Sequence, residues 1–318
     1  MRLNSTASVS CEGCTFGNST DAGKNYATQG GVAYVASGCS LSFTNCVFDY
    51  NEASANWGSC IYTYTSSNNR LYLNGCVFKN NKGLSRGVIG VNSSTGLIYM
   101  NNVSFYNNTC SDASNNGWGI AVHCGNSNVC MNNVTSYGNH CGSADKSWYT
   151  FNSDGAWLIT NCTIVDAPAN NCTLLRGNNN ATKKSALCNN IFINTNASDK
   201  TVLFNTNNSQ ISAGHNVFSS TSDQQAFTYN ESDKTGVTAL TAGVYSEPVY
   251  SWTNDLTGFT PATQSVVEAV IKAYNESQAG VDDVGTDFYN WLNSIGALGK
   301  DARGESRSGS WWPGAYQN

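Results

Sequence analysis

SFTNCVFDYN, at residues 42–51, belongs to a motif that recurs along most of the chain. YLNGCVFKNN follows at residues 72–81, YMNNVSFYNN at 99–108 and CMNNVTSYGN at 130–139. Weaker copies are LITNCTIVDA at 158–167, LCNNIFINTN at 187–196 and SAGHNVFSST at 212–221. Apolar residues alternate with Asn, Thr and Ser, and this period of two predicts β-strands with one inward face. A motif repeated in this way predicts a solenoid of stacked coils.

Two columns of residues define the repeat. The first is mostly Phe and contains Phe16, Phe48, Phe78, Phe105, Ser136, Ile164, Phe192 and Phe218. The second lies two residues earlier and contains Cys14, Cys46, Cys76, Val103, Val134, Cys162, Asn190 and Asn216. We predict an all-β fold, a right-handed parallel β-helix of about eight three-strand coils with the Phe column stacked in its core.

A second strand precedes each copy of the motif. It reads GGVAYV at 30–35, GSCIYTY at 58–64, RGVIGV at 86–91, GWGIAVH at 117–123, SWYTFN at 147–152, CTLLRG at 172–177 and TVLFN at 201–205. Asn51, Asn81, Asn108 and Asn139 follow the Phe column. Asn tolerates left-handed backbone angles, and its amide can bond to the same amide one coil away. We therefore expect these residues to form a turn ladder.

The charge balance changes near residue 220. Residues 1–220 carry 11 Lys/Arg against 9 Asp/Glu, whereas residues 221–318 carry 5 against 12. We predict coils over 1–220 and, within the same structural domain, a small α-helical and irregular cap over 221–318 that packs on the last coil. Ser265 and Glu268 predict the start of its one short helix by a capping box. An apolar stripe at helical spacing follows them, formed by Val266, Val267, Val270, Ile271 and Tyr274.

Composition argues against several classes of protein. The 318 residues include no long apolar run, so we expect no membrane span. The absence of a basic face argues against nucleic acid as a partner. No signal peptide is visible in MRLNSTASVS, and no cap precedes the first copy of the repeat. We expect a monomer whose first coil has an exposed edge, and a natural protein that extends further at its N-terminus.

The chain contains 13 Cys, many of them at inward positions of the predicted strands. We expect buried, unreactive thiols rather than a disulfide framework. Cys11 and Cys14 have the spacing of half a zinc site, but no second Cys or His pair follows, so no metal or cofactor is predicted there. In the tail, Asp282, Asp283 and Asp287 are a candidate Ca²⁺ site, for which a solvated turn is the favoured interpretation.

Two groups of motifs resemble known surface proteins. GGVAYV, with FDYN, FKNN and FYNN, resembles the GGA(I/V) and FxxN repeats of bacterial polymorphic outer-membrane proteins, which are adhesins with a β-helical passenger. The tail GKDARGESRSGSWWPGAYQN resembles the DxxGxxR…GAY ending of pectate-lyase-like β-helix proteins from gut anaerobes. In this chain the motif positions are Asp301, Gly304, Arg307, Gly314, Ala315 and Tyr316. The resemblance implies a β-helix at the bacterial outer surface or outside the cell.

The repeat offers few groups for catalysis. A glycoside hydrolase needs two carboxylates held about 5–10 Å apart. The carboxylates of the repeat, none of which pairs clearly in register, are Asp49, Glu52, Asp112, Asp145, Asp154, Asp166 and Asp199. A polysaccharide lyase needs a base beside a group that neutralises the uronate. The ends of three consecutive second strands place His123, Asn152 and Arg176 in one row, with Asp154 beside it. We take His123, Arg176 and Asp154 as the catalytic candidates, with solvated strand ends as the alternative.

Aromatic residues suggest a different function. The candidates for stacking on sugar rings are Trp57, Tyr62, Tyr64, Tyr72, Tyr99, Trp118, Trp148, Tyr149 and Trp157. Asn152, Trp118, Trp148 and Tyr149 are the predicted ligand-binding set, although core packing competes at each position. Two hypotheses follow: a non-catalytic adhesin or glycan-binding protein whose partner is an extracellular glycan or host surface glycoprotein, and a polysaccharide lyase or glycoside hydrolase.

Overall fold

The fold is an all-β parallel solenoid, seen in a computed structural model. The structure describes residues 1–4, 6–55, 57–64, 68–92, 96–111, 118–141, 148–166, 174–177, 184–195, 203–205, 210–219, 229–237, 256, 258–274, 276 and 280–316. Strands are numbered in chain order, and every pairing between them is parallel, so each coil lies on the preceding one in the same direction.

Four sheets run along the part of the solenoid that the structure describes. Sheet A contains β1 (Arg2–Leu3), β5 (Ala33–Val35), β9 (Ile61–Tyr64), β13 (Ile89–Asn92), β17 (Trp118–Cys124), β21 (Trp148–Ser153), β24 (Leu175–Gly177) and β27 (Leu203–Asn205). Sheet B contains β2 (Ser8–Glu12), β6 (Ser40–Thr44), β10 (Arg70–Asn74), β14 (Leu97–Asn101), β18 (Asn128–Asn132), β22 (Trp157–Thr160), β25 (Ser185–Cys188) and β28 (Gln210–Ser212).

The other two sheets complete each coil. Sheet C contains β3 (Thr15–Gly17), β7 (Val47–Asp49), β11 (Val77–Lys79), β15 (Ser104–Tyr106), β19 (Thr135–Tyr137), β23 (Thr163–Asp166), β26 (Ile191–Asn194) and β29 (Val217–Phe218). Among the described residues, sheet D contains β4 (Tyr26–Ala27), β8 (Glu52–Ala53), β12 (Lys82–Gly83), β16 (Thr109–Cys110) and β20 (His140–Cys141).

The solenoid has about six full turns, and the prediction of about eight three-strand coils was wrong in this number. The difference arises at the ends. The first and last strands of sheets A, B and C are paired on one side only, and several of them are two or three residues long. The prediction took each of the eight members of the Phe column as one complete coil, and so counted these incomplete terminal turns as well.

The Phe column forms the predicted stack. Phe16, Phe48, Phe78, Phe105, Ser136, Ile164, Phe192 and Phe218 pair in one continuous register through sheet C. The ring centroids of Phe48 and Phe78 lie 4.3 Å apart, and those of Phe78 and Phe105 lie 5.0 Å apart. Stacked aromatic rings at these distances add to the stabilisation from burial, so the column is the spine of the core.

The second column also faces inward. Cys46, Cys76 and Cys162 are fully buried, with their thiols close to backbone carbonyl oxygens. Of the twelve Cys in the described part of the chain, nine are buried and none forms a disulfide. The expectation of packed thiols is confirmed for these residues. Cys11, Cys14 and Cys141 are half-buried.

The predicted Asn ladder is present between sheets C and D. Asn51 Nδ2 donates to Asn81 Oδ1 at 2.9 Å, and Asn81 Nδ2 donates to Asn108 Oδ1 at 2.9 Å. Asn108 Nδ2 continues the ladder to Asn139 Oδ1 at 2.8 Å. Each amide also binds backbone groups of neighbouring coils, as when Asn81 Nδ2 donates to Phe48 O. These buried amides satisfy the polar backbone groups that every corner of the solenoid exposes inward.

The described residues of the C-terminal part form two helices, α1 (Gln264–Lys272) and α2 (Val284–Ser294), where one was predicted. They pack against the outer face of sheet B rather than on the last coil, through Tyr99, Leu158, Val267, Ile271 and Phe288 among others. The predicted capping box was also wrong: the N-cap of α1 is Thr263, whose hydroxyl accepts the Val266 N–H. The predicted apolar stripe of α1 does face the protein interior, but the stripe alone does not show which surface of the solenoid the helix covers.

Residues 229–237 cover the last coil. Lys234 pairs with Val217, and the ring of Tyr229 lies 5.2 Å from that of Phe218. A second row of amides leads to this segment: Asn190 Nδ2 donates to Asn216 Oδ1 at 2.9 Å, and Asn216 Nδ2 donates to Asp233 Oδ1 at 3.1 Å. The Asp233 carboxylate therefore ends this row. This short segment therefore pairs with strand and turn groups at the end of the solenoid.

The DxxGxxR…GAY motif anchors the tail to the corner between sheets B and C. The Arg307 guanidinium is buried and donates to Asn133 Oδ1 at 3.1 Å and to Gly314 O at 2.7 Å. The Ala315 N–H donates to Thr163 Oγ1 at 2.9 Å. Burial lowers the pKa of Arg307 to about 10. The motif is structural in this chain, because its residues hold the tail on the coils.

Candidate functional site

The predicted row on sheet A exists in the folded chain. His123 pairs with Asn152, and Asn152 pairs with Arg176, on three consecutive strands. Asn152 Nδ2 lies 3.2 Å from His123 Nδ1, and Arg176 Nη1 donates to Asn152 Oδ1 at 3.3 Å. Asp154 is beside the row, with its Oδ1 atom 3.6 Å from Arg176 Nη1. The structure therefore brings all four residues together.

The row is covered. Gly90 lies between Tyr62 and His123 in the register of sheet A, and the Trp57 ring lies 5.7 Å from Tyr62 and 5.2 Å from His123. Arg86 in turn places its guanidinium 4.1 Å from the centre of the Trp57 ring. Because of this cover His123 is only 3% exposed and Asn152 is fully buried.

Electrostatics keep His123 neutral. Burial lowers its pKa well below the usual value, and the positive charges of Arg86 and Arg176 lower the pKa further. A catalytic base must reach the proton that it removes, directly or through one water. A neutral, covered imidazole beside two cations fits packing and positioning of the row better than proton abstraction from a polysaccharide.

The aromatic candidates divide by position. Trp118 pairs with Trp148 in register, but their side chains lie outside the described residues. Tyr149 is buried, with the Arg176 guanidinium 5.8 Å from its ring centre. Trp57, Tyr62, Tyr99 and Trp157 are also buried, whereas Tyr72 is half-buried. Of the described candidates from the sequence, Tyr64 exposes a large part of its ring, 45%.

The candidate Ca²⁺ ligands in the tail have separate structural roles. The Asp283 carboxylate caps α2, since its Oδ1 accepts the Thr286 N–H at 2.9 Å. Asp287 Oδ2 accepts the Tyr99 hydroxyl at 2.8 Å and ties α2 to sheet B. Among the carboxylates of the repeat, Asp112, Asp145 and Asp199 lie outside the described residues. Asp166 is buried at the end of the Asn ladder, away from solvent.

A polar groove lies where sheets C and D meet, and sequence reasoning missed it. This corner groove encloses about 360 Å³ and is lined by Lys24, Tyr50, Asn51, Glu52, Asn80, Lys82, Asn107 and Thr109. Tyr50, Asn80 and Asn107 are the first of the two turn residues between the sheets and have left-handed backbone angles, with φ of 55°, 54° and 55°. The signal was available: Glu52, Lys82, Thr109 and His140 fall four residues after the Phe column.

The corner groove is polar and carries mixed charge. Lys24 Nζ lies 2.6 Å from Glu52 Oε2 within the groove, and outside its lining, on sheet C, Lys79 Nζ lies 3.6 Å from Asp49 Oδ2. Lys82 is exposed, and no ion pair involves it among the residues that the structure describes. Amides, the Lys82 ammonium group and the Tyr50 ring together can hydrogen-bond to hydroxyl groups and stack on a sugar ring.

Comparisons with known proteins do not assign the chain to a family. No protein family model, curated protein or solved structure matches the chain. In the part of the chain that the structure describes, neither helix has the length and apolar character needed to cross a membrane.

Proposed function

We propose that this chain is a secreted or cell-surface β-helix protein that binds an extracellular glycan, free or on a host glycoprotein, without cleaving it. The corner groove carries the proposal, because it presents amide, ammonium and carboxylate groups on successive coils of a rigid solenoid. Sites on rigid elements hold their polar groups at fixed distances, which favours recognition of a repeating ligand. The resemblance of the FxxN and GGA(I/V)-like repeats to those of surface adhesins supports the bacterial outer surface as the location.

A second function is favoured by one observation. His123, Asn152, Arg176 and Asp154 do meet on sheet A. A polysaccharide lyase or a glycoside hydrolase built on this cluster would require Trp57 to move away from His123. The cover over His123 and its lowered pKa make catalysis the alternative rather than the first choice.

Native electrophoresis in gels that contain xylan, mixed-linkage β-glucan, polygalacturonate or dextran, together with a glycan array, tests the binding. Wild-type protein should be retarded by at least one polysaccharide or bind a group of related glycans. Lys82→Gln should reduce binding several-fold, whereas Lys272→Gln on α1, remote from the groove, should leave it unchanged. Wild-type protein that binds no glycan in either experiment contradicts the proposal.

An absorbance assay for unsaturated uronates and a reducing-sugar assay test the alternative. We expect neither product from any of the four polysaccharides. Product that disappears in His123→Gln or Arg176→Gln would instead establish the enzyme.

A further inference from the structure

The corner groove presents polar groups from equivalent positions on three successive coils. On the sheet D side, Glu52, Lys82 and Thr109 pair in register and line the groove. The floor is formed by the turn residues Tyr50, Asn80 and Asn107. His140 and Gly138 occupy the corresponding positions on the next coil. A ligand that lies along the groove therefore meets a new polar set after each coil.

The floor amides keep hydrogen-bonding capacity for a ligand. Asn107 Nδ2 donates to Asn80 Oδ1 at 2.7 Å, and Asn80 Nδ2 donates to Asp49 Oδ1 at 2.9 Å. A side-chain amide has two N–H donors and two lone pairs, and this row uses only part of them. After these two bonds Asn80 keeps one N–H group and one lone pair of its amide, and Asn107 keeps one N–H group and its carbonyl oxygen.

The spacing of the coils selects the class of ligand. Parallel strands repeat at ~4.8 Å, and an extended chain of equatorially linked pyranose rings advances by nearly this distance per ring. An extended peptide advances by about 3.3 Å per residue and falls out of step with the coils. Peptides also add to open sheet edges or fill apolar pockets, whereas this groove is polar.

Resting on the proposed function, we propose that the corner groove binds a linear, ribbon-like glycan whose chain runs parallel to the solenoid axis, with about one sugar ring per coil. Tyr50 on the floor provides a ring face for stacking. A flexible or strongly bent glycan cannot meet equivalent groups on successive coils.

The chain itself supplies a test of this mode. The amide row ends at Gly138, which has the same left-handed backbone, with φ of 65°. A Cβ atom added at Gly138 would have Asn107 N as its nearest neighbour, at 4.0 Å, so a side chain fits. Asn tolerates this backbone better than most residues. Gly138→Asn should therefore extend the row by one coil, and Asn107→Gly should shorten it without strain.

Calorimetric titration with cello- and xylo-oligosaccharides of two to six rings measures the effect, with isomalto-oligosaccharides as flexible comparators. For the wild type, affinity should rise by about five-fold per ring up to about three rings and then level off. The plateau should move to about four rings in Gly138→Asn and to about two in Asn107→Gly. Gly296→Asn, at another open left-handed position on the cap, is the matched control and should behave as the wild type.

The outcomes separate this inference from the proposed function. Three outcomes would overturn the axial ribbon mode and leave glycan binding intact. They are an affinity that does not depend on ring number, an affinity for isomalto-oligosaccharides equal to that for the extended oligosaccharides, and a plateau that does not move in Gly138→Asn. No binding of any glycan overturns both. Thermal melts of each variant confirm that the compared proteins are folded.

Discussion

The Asp166 carboxylate ends the asparagine ladder, with its Oδ1 atom accepting the backbone N–H of Asn139 at 2.8 Å. Its Oδ2 atom accepts the Ser136 hydroxyl at 2.5 Å. Earlier coils place an uncharged amide at the corresponding end of the turn. Burial raises the pKa of Asp166 from 3.8 to about 7, although the hydrogen bonds from Ser136 and Asn139 oppose this shift. The ladder therefore closes on a titratable group in the core.

Asp166→Asn should remove a pH dependence of stability. The folded-state pKa is raised, so the wild type loses stability as the pH rises from about 4 to about 7, by on the order of 2–4 kcal/mol. The amide variant cannot ionise and continues the ladder with a neutral group. Urea denaturation at pH 4.5 and 7.5 measures the free energy of unfolding of both proteins. The stability of the variant relative to the wild type should be higher at pH 7.5 than at pH 4.5. An equal difference at both pH values contradicts this account.

His123 should change the pH dependence of stability in the opposite direction to Asp166. Its folded-state pKa is lowered, so the unfolded chain binds a proton below pH about 6.5 that the folded chain does not, and stability falls as the pH falls. Arg86 and Arg176 face it as cations, Asp154 contributes a carboxylate, and Trp57 covers the ring. Between pH 6.5 and 4.5, His123→Gln should lose less stability than the wild type, by up to about 2–3 kcal/mol. NMR titration of the imidazole provides an independent check, because a normal pKa for His123 would contradict its burial.

Thiol labelling at pH 8 should distinguish the two classes of cysteine. Burial raises the pKa of Cys76 to about 12 and also raises that of Cys46, so neither carries an appreciable thiolate fraction. Cys11, Cys14 and Cys141 are half-buried and should react first. Cys172 lies outside the described residues, so the experiment uses the Cys172→Ser variant. Mass spectrometry that finds rapid modification of Cys46 or Cys76 in the native protein would mean that their column does not face inward.

Arg307→Lys should release the tail. The guanidinium bonds simultaneously to Asn133 Oδ1, Gly314 O, Trp312 O and Lys300 O. A lysine ammonium cannot reproduce this planar set of donors. We expect a loss of about 2–4 kcal/mol in the free energy of unfolding and faster proteolysis after residue 300. Arg2→Lys, at an exposed side chain far from the tail in the sequence, should cost less than about 1 kcal/mol and is the matched control. Similar effects of both substitutions would contradict the anchoring role of Arg307.

The sequence predicts the register of the fold well and its coverings poorly. The column from Phe48 to Phe105 and the row from His123 to Arg176 follow from the repeat, because parallel coils place equivalent positions next to each other. That Trp57 closes over His123 could not be predicted, since a loop residue contacts a strand two coils away. The position of α1 on sheet B was missed for the same reason. An amphipathic stripe such as that of Val267 and Ile271 shows that a face is buried but not against what.

The corner groove illustrates a different limit. Glu52, Lys82 and Thr109 differ in chemistry and look unrelated in the sequence, although the register places them side by side. Motif searches look for residue types at fixed spacing and overlook a surface whose only regularity is position within the coil. The common property of Glu52, Lys82 and Thr109 is their position in the coil, four residues after the Phe column.

The amide rows also determine which cells can produce this protein in folded form. Asn102-Val103-Ser104, Asn133-Val134-Thr135 and Asn161-Cys162-Thr163 are acceptor sequences for N-linked glycosylation. Two of these amide nitrogens are used inside the fold: Asn161 Nδ2 donates to Asn132 Oδ1 at 2.8 Å, and Asn133 Nδ2 donates to Lys300 O at 2.9 Å. An oligosaccharide attached during synthesis would occupy these nitrogens before the coils could stack. A eukaryotic secretory host is therefore unsuitable for expression, and bacterial cytoplasm or periplasm is the appropriate source.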